Sequence, residues 1–265
     1  MSKSRRRPLV HDQVAPLYDK ARPSYPAALF DDIVSYGPLP ERARLLEIGC
    51  GTGQATLPLA ERGYAIDCVE PGARMAAIAR AKLTGFPAVS VICADFERFS
   101  GRPASYDLLF SATAFHWVDP TIRFQKAHDL LKMGGALALF WHRPTQTGVS
   151  RDFEDALQAV YRRVAPELAR GYEPAPRPDQ VATEYEALIP ASGYFTELAI
   201  RKHTVATEYS AVAYADLLGT FSDHRSLEPA QRTQLLSEIK HLINAKFAGT
   251  VVRETVALLY LARRE

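Results

Sequence analysis

Through the first half of the chain, short apolar runs alternate with segments of helical spacing. Residues 43–48 (ARLLEI), 65–69 (AIDCV), 88–93 (AVSVIC), 106–110 (YDLLF) and 136–141 (ALALFW) are apolar at nearly every position, not at every second one. Continuous apolar runs bounded by polar turns predict strands buried on both faces. Between them, residues 54–62, 73–82 and 121–131 repeat their apolar positions every three or four residues, which predicts helices. An earlier helix is predicted over 27–36, where Leu29, Phe30, Ile33 and Val34 share a face before Pro38 and Pro40 stop it. Strand and helix in alternation predict an α/β fold, a doubly wound and mostly parallel sheet with helices on both faces.

The second half is less regular. Residues 151–168 form an amphipathic helical pattern with Asp152, Glu154 and Asp155 in its first turns, and 171–180 (GYEPAPRPDQ) reads as a loop. A strand is expected over 197–205, helices over 214–221 and 229–247, and a closing strand over 254–262. Roughly the last 60 residues should therefore add a small helical cap and an edge hairpin to the same sheet. The polar residues 1–24 show no strong periodicity. One domain over 1–265 is expected: an arm and helix over 1–40, a core over 41–145, and a C-terminal part with cap and closing strands over 146–265.

Composition narrows the partners. A net charge of +2 lacks the basic excess of a dedicated nucleic-acid binder. The one basic run, Lys3 with Arg5, Arg6 and Arg7, reads first as a solvated tail and second as a phosphate-contacting arm. Cys50, Cys68 and Cys93 form no CxxC pair, so neither a metal site nor a disulfide framework is expected, and a reducing compartment fits. No apolar run approaches the ~20 residues of a membrane span, and the first 25 residues lack a signal peptide's apolar stretch. Cytoplasmic location, no membrane contact, no nucleic acid, and a monomer or homodimer are the expectations.

The most informative stretch is Glu47-Ile48-Gly49-Cys50-Gly51-Thr52-Gly53-Gln54, directly after the first predicted strand. Glycines there permit a tight turn and let backbone N–H groups approach a ligand, at the strand end where open α/β sheets bind ligands. A dinucleotide fingerprint G-x-G-x-x-G would need glycine at 54, which is glutamine, and no G-K-[ST] follows for a phosphate-binding loop. Acids recur at two further strand ends, Glu70 and Asp95.

The E-x-G-x-G-x-G pattern with these acids resembles the class I S-adenosylmethionine-dependent methyltransferases. The resemblance covers about residues 15–143, including Leu131–Gly135 as a late double-glycine turn. It implies that the sheet is Rossmann-like and seven-stranded, and that S-adenosylmethionine is the cofactor, with S-adenosylhomocysteine as product. Implied cofactor residues are Glu47, Gly49, Gly51, Thr52, Gly53 and Gln54 in the loop, Glu70 on the ribose hydroxyls with Pro71 and Met75 behind it, and Asp95 on the adenine amino group with Phe96 on the ring. Thr113, Ala114 and Trp117 after the fourth strand, and Tyr18 and Arg22 as an N-terminal lid, complete the implied set; otherwise Tyr18 and Arg22 belong to a flexible surface arm. Residues 18–26 (YDKARPSYP), 115–119 (FHWVD) and 221–224 (FSDH) are similar to the branch containing trans-aconitate and cantharidin methyltransferases.

Methyl transfer needs alignment, exclusion of water and an acceptor lone pair. His116, Arg143 and His224 are the candidate catalytic residues: His116 at the mouth of the site or bonding within its loop, Arg143 as a bidentate carboxylate clamp, and His224 in the cap or capping a helix. Trp117 serves as a pocket wall and His142 as a further donor. No Pro-Cys or Asn-Pro-Pro-Tyr segment of the nucleic-acid methyltransferases occurs. The expected activity is methyl transfer to a small-molecule acceptor, with a carboxylate oxygen in view. The alternatives are a cofactor-binding scaffold or sensor without turnover, and a nucleic-acid methyltransferase.

Overall fold

The computed structural model describes residues 8–37, 39–148 and 150–265, without the side chains of residues 8 and 9. The basic run at residues 3–7 and the helix stop at Pro38 lie outside the described residues. Seven strands form one sheet: β1 (Arg44–Ile48), β2 (Ala65–Glu70), β3 (Val89–Cys93), β4 (Tyr106–Ala112), β5 (Leu131–Pro144), β6 (Phe195–Ser210) and β7 (Thr250–Arg264). Their order is β3-β2-β1-β4-β5-β7-β6, parallel through β5, with β7 antiparallel to both its neighbours.

Both faces of this sheet are covered, as continuous apolar strands require. Along β7, Val256, Leu258, Tyr260 and Ala262 enter one core, while Ala257, Leu259 and Leu261 enter the other. Along β5, Leu137, Leu139 and Trp141 face the first, and Ala136, Ala138 and Phe140 the second. Twelve helices surround the sheet: α1 (Pro8–Asp12), α2 (Ala15–Ala21), α3 (Ala27–Tyr36), α4 (Thr56–Ala60), α5 (Ala73–Lys82), α6 (Arg123–Leu130), α7 (Arg151–Val164), α8 (Pro166–Ala169), α9 (Glu184–Ala191), α10 (Ala211–Leu218), α11 (Ser222–Arg225) and α12 (Pro229–Lys246).

Four expectations are corrected. The helix expected over 54–62 is reduced to α4, because residues 51–55 are spent on the turns of the glycine loop. The one expected over 214–221 begins earlier, at Ala211, where the Ser210 hydroxyl accepts from the Ala213 N–H and caps it. No simple edge hairpin forms: β7 lies inside the sheet and β6 takes the edge, with α10, α11 and α12 inserted between them. The cap also starts earlier than the last sixty residues, since Phe153, Leu157, Tyr161 and Val164 of α7 share a third core with Leu217 of α10 and Leu235 and Ile239 of α12. The polar N-terminal stretch is helical: α1 and α2 pack against α5, α10 and α11.

Among the described residues no helix is long and apolar enough to cross a membrane.

Candidate functional site

The carboxyl ends of β1, β4 and β5 open into a cleft of about 610 Å³, closed on its other sides by α1, α2 and the cap. Its floor is the glycine loop. Gly49, Gly51 and Gly53 all have positive φ (69°, 57° and 86°), a backbone that side chains strain to adopt. They do different things. A Cβ on Gly49 would lie 2.4 Å from the Cβ of Ala114, so glycine lets the loops after β1 and β4 touch. A Cβ on Gly53 would sit against Leu83 and Ala79, beneath the loop. A Cβ on Gly51 would point into space, meeting only the Tyr18 ring at 3.9 Å. Gly51 thus leaves a slot between the loop backbone and a tyrosine roof.

Two acids support this floor from below. Glu70, 8% exposed, accepts from the Gly51 N–H at 2.9 Å with one carboxylate oxygen and from the Gly72 N–H at 2.8 Å with the other. Each oxygen keeps a lone pair, enough for two hydroxyl donors. Burial raises the Glu70 pKa, and the two backbone donors oppose that rise. Glu47 is fully buried under the loop, with Oε2 accepting from Thr56 at 2.5 Å. Burial pushes its pKa up to about 8, against the Thr56 hydrogen bond and with the charge of Glu70 behind it. Glu47 Oε1 and the Nε2 of Gln54 are buried polar atoms without a partner, Gln54 Oε1 being held by the Thr52 hydroxyl at 2.9 Å. An orphaned donor on a cleft-lining side chain, beside a glycine slot and a carboxylate with spare lone pairs, fits a nucleoside-bearing ligand with polar ends.

The walls are side chains from distant parts of the chain. Tyr18, Arg22 and Tyr25 come from the N-terminal segment, Thr113, His116 and Trp117 from the turn after β4, and Trp141, His142 and Arg143 from the end of β5. Phe221, Asp223 and Arg253 come from the cap and the start of β7. Arg22 is no flexible arm. Its Nε donates to Thr220 Oγ1 at 2.8 Å and its Nη2 to the Thr220 carbonyl at 3.2 Å, with the guanidinium over both Tyr18 and Phe221. Asp12 adds a second tie by accepting the N–H groups of Arg74 and Met75 at the start of α5. His142 is fully engaged: Nε2 donates to the Ser24 carbonyl at 3.2 Å, Nδ1 lies 3.3 Å from the Thr255 hydroxyl, and the ring stacks on Tyr25. It anchors the N-terminal segment. Arg143 donates to Glu184 at 2.9 Å on the cleft wall. Arg253 lies over the Phe221 ring, and its charge acts on the Glu154 carboxylate of α7.

Several expected residues stand elsewhere. His224 does not line the cleft. It is buried in the cap, with Nε2 on the Tyr161 hydroxyl and Nδ1 on Asp223, each at 2.8 Å, so both nitrogens are spent on structure. Phe96 turns into the core at 3% exposure, with Lys126 over its ring, and offers no free face to an adenine. Asp95 is half-exposed, near Arg98 at 3.8 Å, and Met75 is buried at the start of α5. Neither they nor Pro71 line the cleft, because α1 covers the start of α5 there. Thr52 and Ala114 act through packing and the Gln54 contact. Arg253, Tyr25, Tyr185 and His11 were missed. Tyr25 alone carried a signal, standing inside the 18–26 motif.

Comparison with known proteins agrees with this geometry. Residues 46–139 match the family model of a methyltransferase domain. An uncharacterized methyltransferase of Mycobacterium tuberculosis is 35% identical over 126 residues, 47% of this chain and 49% of that one. A Saccharomyces cerevisiae protein named as a probable S-adenosylmethionine-dependent methyltransferase is 32% identical over 149 residues, 55% of this chain and 50% of that one. The chain spans about half the length of the curated relatives it matches. A solved structure from Anaeromyxobacter dehalogenans, described as a type II methyltransferase candidate, superposes with a TM-score of 0.64 at 26% identity, covering 91% of this chain and 97% of that one. The fold is the Rossmann-like fold of these methyltransferase structures, and residues 46–139 match a methyltransferase domain.

Proposed function

We propose that the chain transfers a methyl group from S-adenosylmethionine to a small molecule bearing a carboxylate, bound between the glycine loop and the cap. The observation that carries the cofactor half is the slot over Gly51, with the Glu70 carboxylate beneath it and the unpartnered Gln54 amide beside it. When bound, S-adenosylmethionine supplies a methyl group made electrophilic by its sulfonium. The chain's own residues then have three tasks. Gly49, Gly51, Gln54 and Glu70 hold the cofactor, the N-terminal segment with Tyr18 and His11 shields the cleft from water, and the walls orient the acceptor for in-line attack.

Cations on those walls support an anionic acceptor. Arg22 is half-buried and forms no ion pair with a carboxylate among the described residues, and Arg253 shares the Phe221 ring with it. Burial disfavours the charge of Arg22 most, with Arg253 adding to it and Tyr18, Tyr25 and Asp223 opposing, so an anion in the cleft would favour the Arg22 guanidinium. Asp223 and Glu184 also line the cleft, but Asp223 is committed to His224 and Glu184 to Arg143. The placement in the trans-aconitate and cantharidin branch gains support from convergence: the segments at 18–26, 115–119 and 221–224 all contribute to this one cleft. Cytoplasmic location remains the reading that suits three free thiols.

Calorimetry with S-adenosylmethionine, S-adenosylhomocysteine and NAD tests the cofactor half. Heat with both sulfur ligands and none with NAD is expected, and no heat from a folded sample with either sulfur ligand sinks it. Screening di- and tricarboxylates, phenols and amines for S-adenosylhomocysteine release tests the acceptor half. Turnover with phenols or amines alone removes the carboxylate.

A further inference from the structure

His116 is one of three histidines lining the cleft, and its environment decides which of its nitrogens can act. His116 lies in the 3-10 turn Phe115–Trp117 after β4 and is exposed to the cleft. Its Nδ1 accepts a hydrogen bond from the indole Nε1–H of Trp141 at 3.1 Å. An indole nitrogen is a donor only, so Nδ1 must carry the lone pair, and a neutral imidazole then bears its proton on Nε2. Trp141 is not free to turn away: it is 3% exposed, stacked on Tyr185 at 4.6 Å and 21°, and edge-on to Tyr260 at 6.0 Å. Losing its partner would strand a buried donor.

We propose that Trp141 locks His116 as an uncharged Nε2–H donor, so that this histidine orients an acceptor oxygen and does not take its proton. Trp141 is the positioning residue and His116 the group that meets the acceptor. For His116 to take a proton at Nε2, it would first need that nitrogen's lone pair, which requires the proton to sit on Nδ1, facing the indole N–H. Double protonation creates the same clash. The other groups around His116 work in the same direction. Burial in the cleft wall, then Arg143 at the end of β5 and Arg123 of α6, hold its pKa below the ordinary histidine range, with Glu184 of α9 opposing and His11 of α1 adding slightly to the depression. His116 therefore stays a neutral donor across neutral pH.

The consequence for acceptor class is direct. A hydroxyl acceptor must lose its proton around the moment of transfer, and His116 held in this tautomer does not take it; a base for such an acceptor would have to be another cleft group, such as His11, whose Nδ1 donates to the Thr220 carbonyl. A carboxylate oxygen forms the new C–O bond with its own lone pair as the C–S bond breaks toward sulfur, and no proton leaves. An N–H donor at Nε2 then orients that oxygen or its geminal partner. This inference rests on the methyl-transfer reading for its substrate class, while the tautomer belongs to the protein alone.

The test is a proton–nitrogen correlation spectrum of the full chain labelled on histidine side chains, followed from pH 5.5 to 9, with His116→Asn assigning the resonance. The expected result is one neutral tautomer, protonated at Nε2, that does not titrate over this range. Trp141→Phe should convert it to a titrating mixture of tautomers. A parent His116 protonated at Nδ1, or titrating near the ordinary histidine value of about 6.5, overturns the lock whether or not the variant folds. Calorimetry with S-adenosylhomocysteine on the same samples separates the two readings. Binding with a titrating His116 sinks the lock alone, and no binding with a locked His116 sinks only the methyl-transfer reading. In the acceptor screen, His116→Asn keeps an N–H donor and should retain carboxylate turnover within about tenfold, while His116→Ala loses roughly ten- to hundredfold. Equal losses for the two variants overturn the donor role.

Discussion

The floor and the walls of the cleft are built by opposite means. The floor is backbone: positive-φ glycines with the Gly51 and Gly72 N–H groups held by Glu70, and two acids at strand ends, all within residues 47–72. The walls are aromatic and cationic side chains gathered from the N-terminal segment, the turn after β4, the end of β5 and the cap. A backbone-made surface needs glycine at fixed places and tolerates little change, which suits one invariant ligand. A side-chain surface can be re-cut one residue at a time, which suits an acceptor that differs between enzymes on the same fold.

The sharpest way to break this comparison is Gly51→Val. The branched side chain would fill the slot under Tyr18 and strain a φ of 57°, so calorimetric affinity for S-adenosylhomocysteine should fall by more than about a hundredfold. Retained affinity would show that the floor is not the cofactor surface. Glu70→Ala comes next. Removing a charged acceptor costs about 1.5–3 kcal/mol, a ten- to hundredfold loss of the same affinity, and it also frees the Gly51 and Gly72 N–H groups. Unchanged binding would remove the ribose assignment.

A wall residue should behave differently. Arg253→Gln is expected to raise KM for a carboxylate acceptor about tenfold while leaving S-adenosylhomocysteine affinity alone. Loss of cofactor affinity instead would mean that floor and wall are not separable at that point.

The smallest expected effect concerns stability. Glu47 has a folded-state pKa of about 8, raised by burial above its unfolded value. The folded protein then binds the extra proton, so this contribution is complete below about pH 4 and is lost as pH rises through about 8. Thermal melting of the ligand-free chain should fall between pH 5 and 9, and Glu47→Gln should flatten that slope. A slope identical in parent and variant would clear Glu47 of the effect.

The same division explains what could be read from the chain beforehand. The core strands and α5 follow directly from apolar runs and helical spacing, because burial on two faces leaves a strong one-dimensional trace. The glycine loop is legible for the same reason, since φ greater than zero selects its residue type. The helices of the lid were not legible from periodicity, although the resemblance implied a lid at Tyr18 and Arg22. α1 and α2 are short and bury little, with Ala15 the one fully buried side chain in α2, and their hold comes from Asp12 on α5 and Arg22 on Thr220. α9 was missed because Tyr185 and Ile189 are its only buried residues and Pro190 closes its last turn. His224 and Phe96 were misplaced because a motif says where a residue falls in the chain and not which way its side chain turns. Arg253 carried no signal at all.

The position of β7 has a consequence for how the chain reaches this state. The strand lies between β5 and β6, pairing Ala136 with Arg263 on one side and Ser210 with Thr250 on the other. During synthesis the first five strands can assemble as they emerge, but β5 waits with an open edge, and β6 has no partner until β7 leaves the ribosome. Such late, long-range closure is slow and leaves apolar edges exposed in the meantime. Chaperone dependence and aggregation on translational pausing should therefore concentrate in the window between β6 and β7, when the cap is made and the sheet is still unfinished.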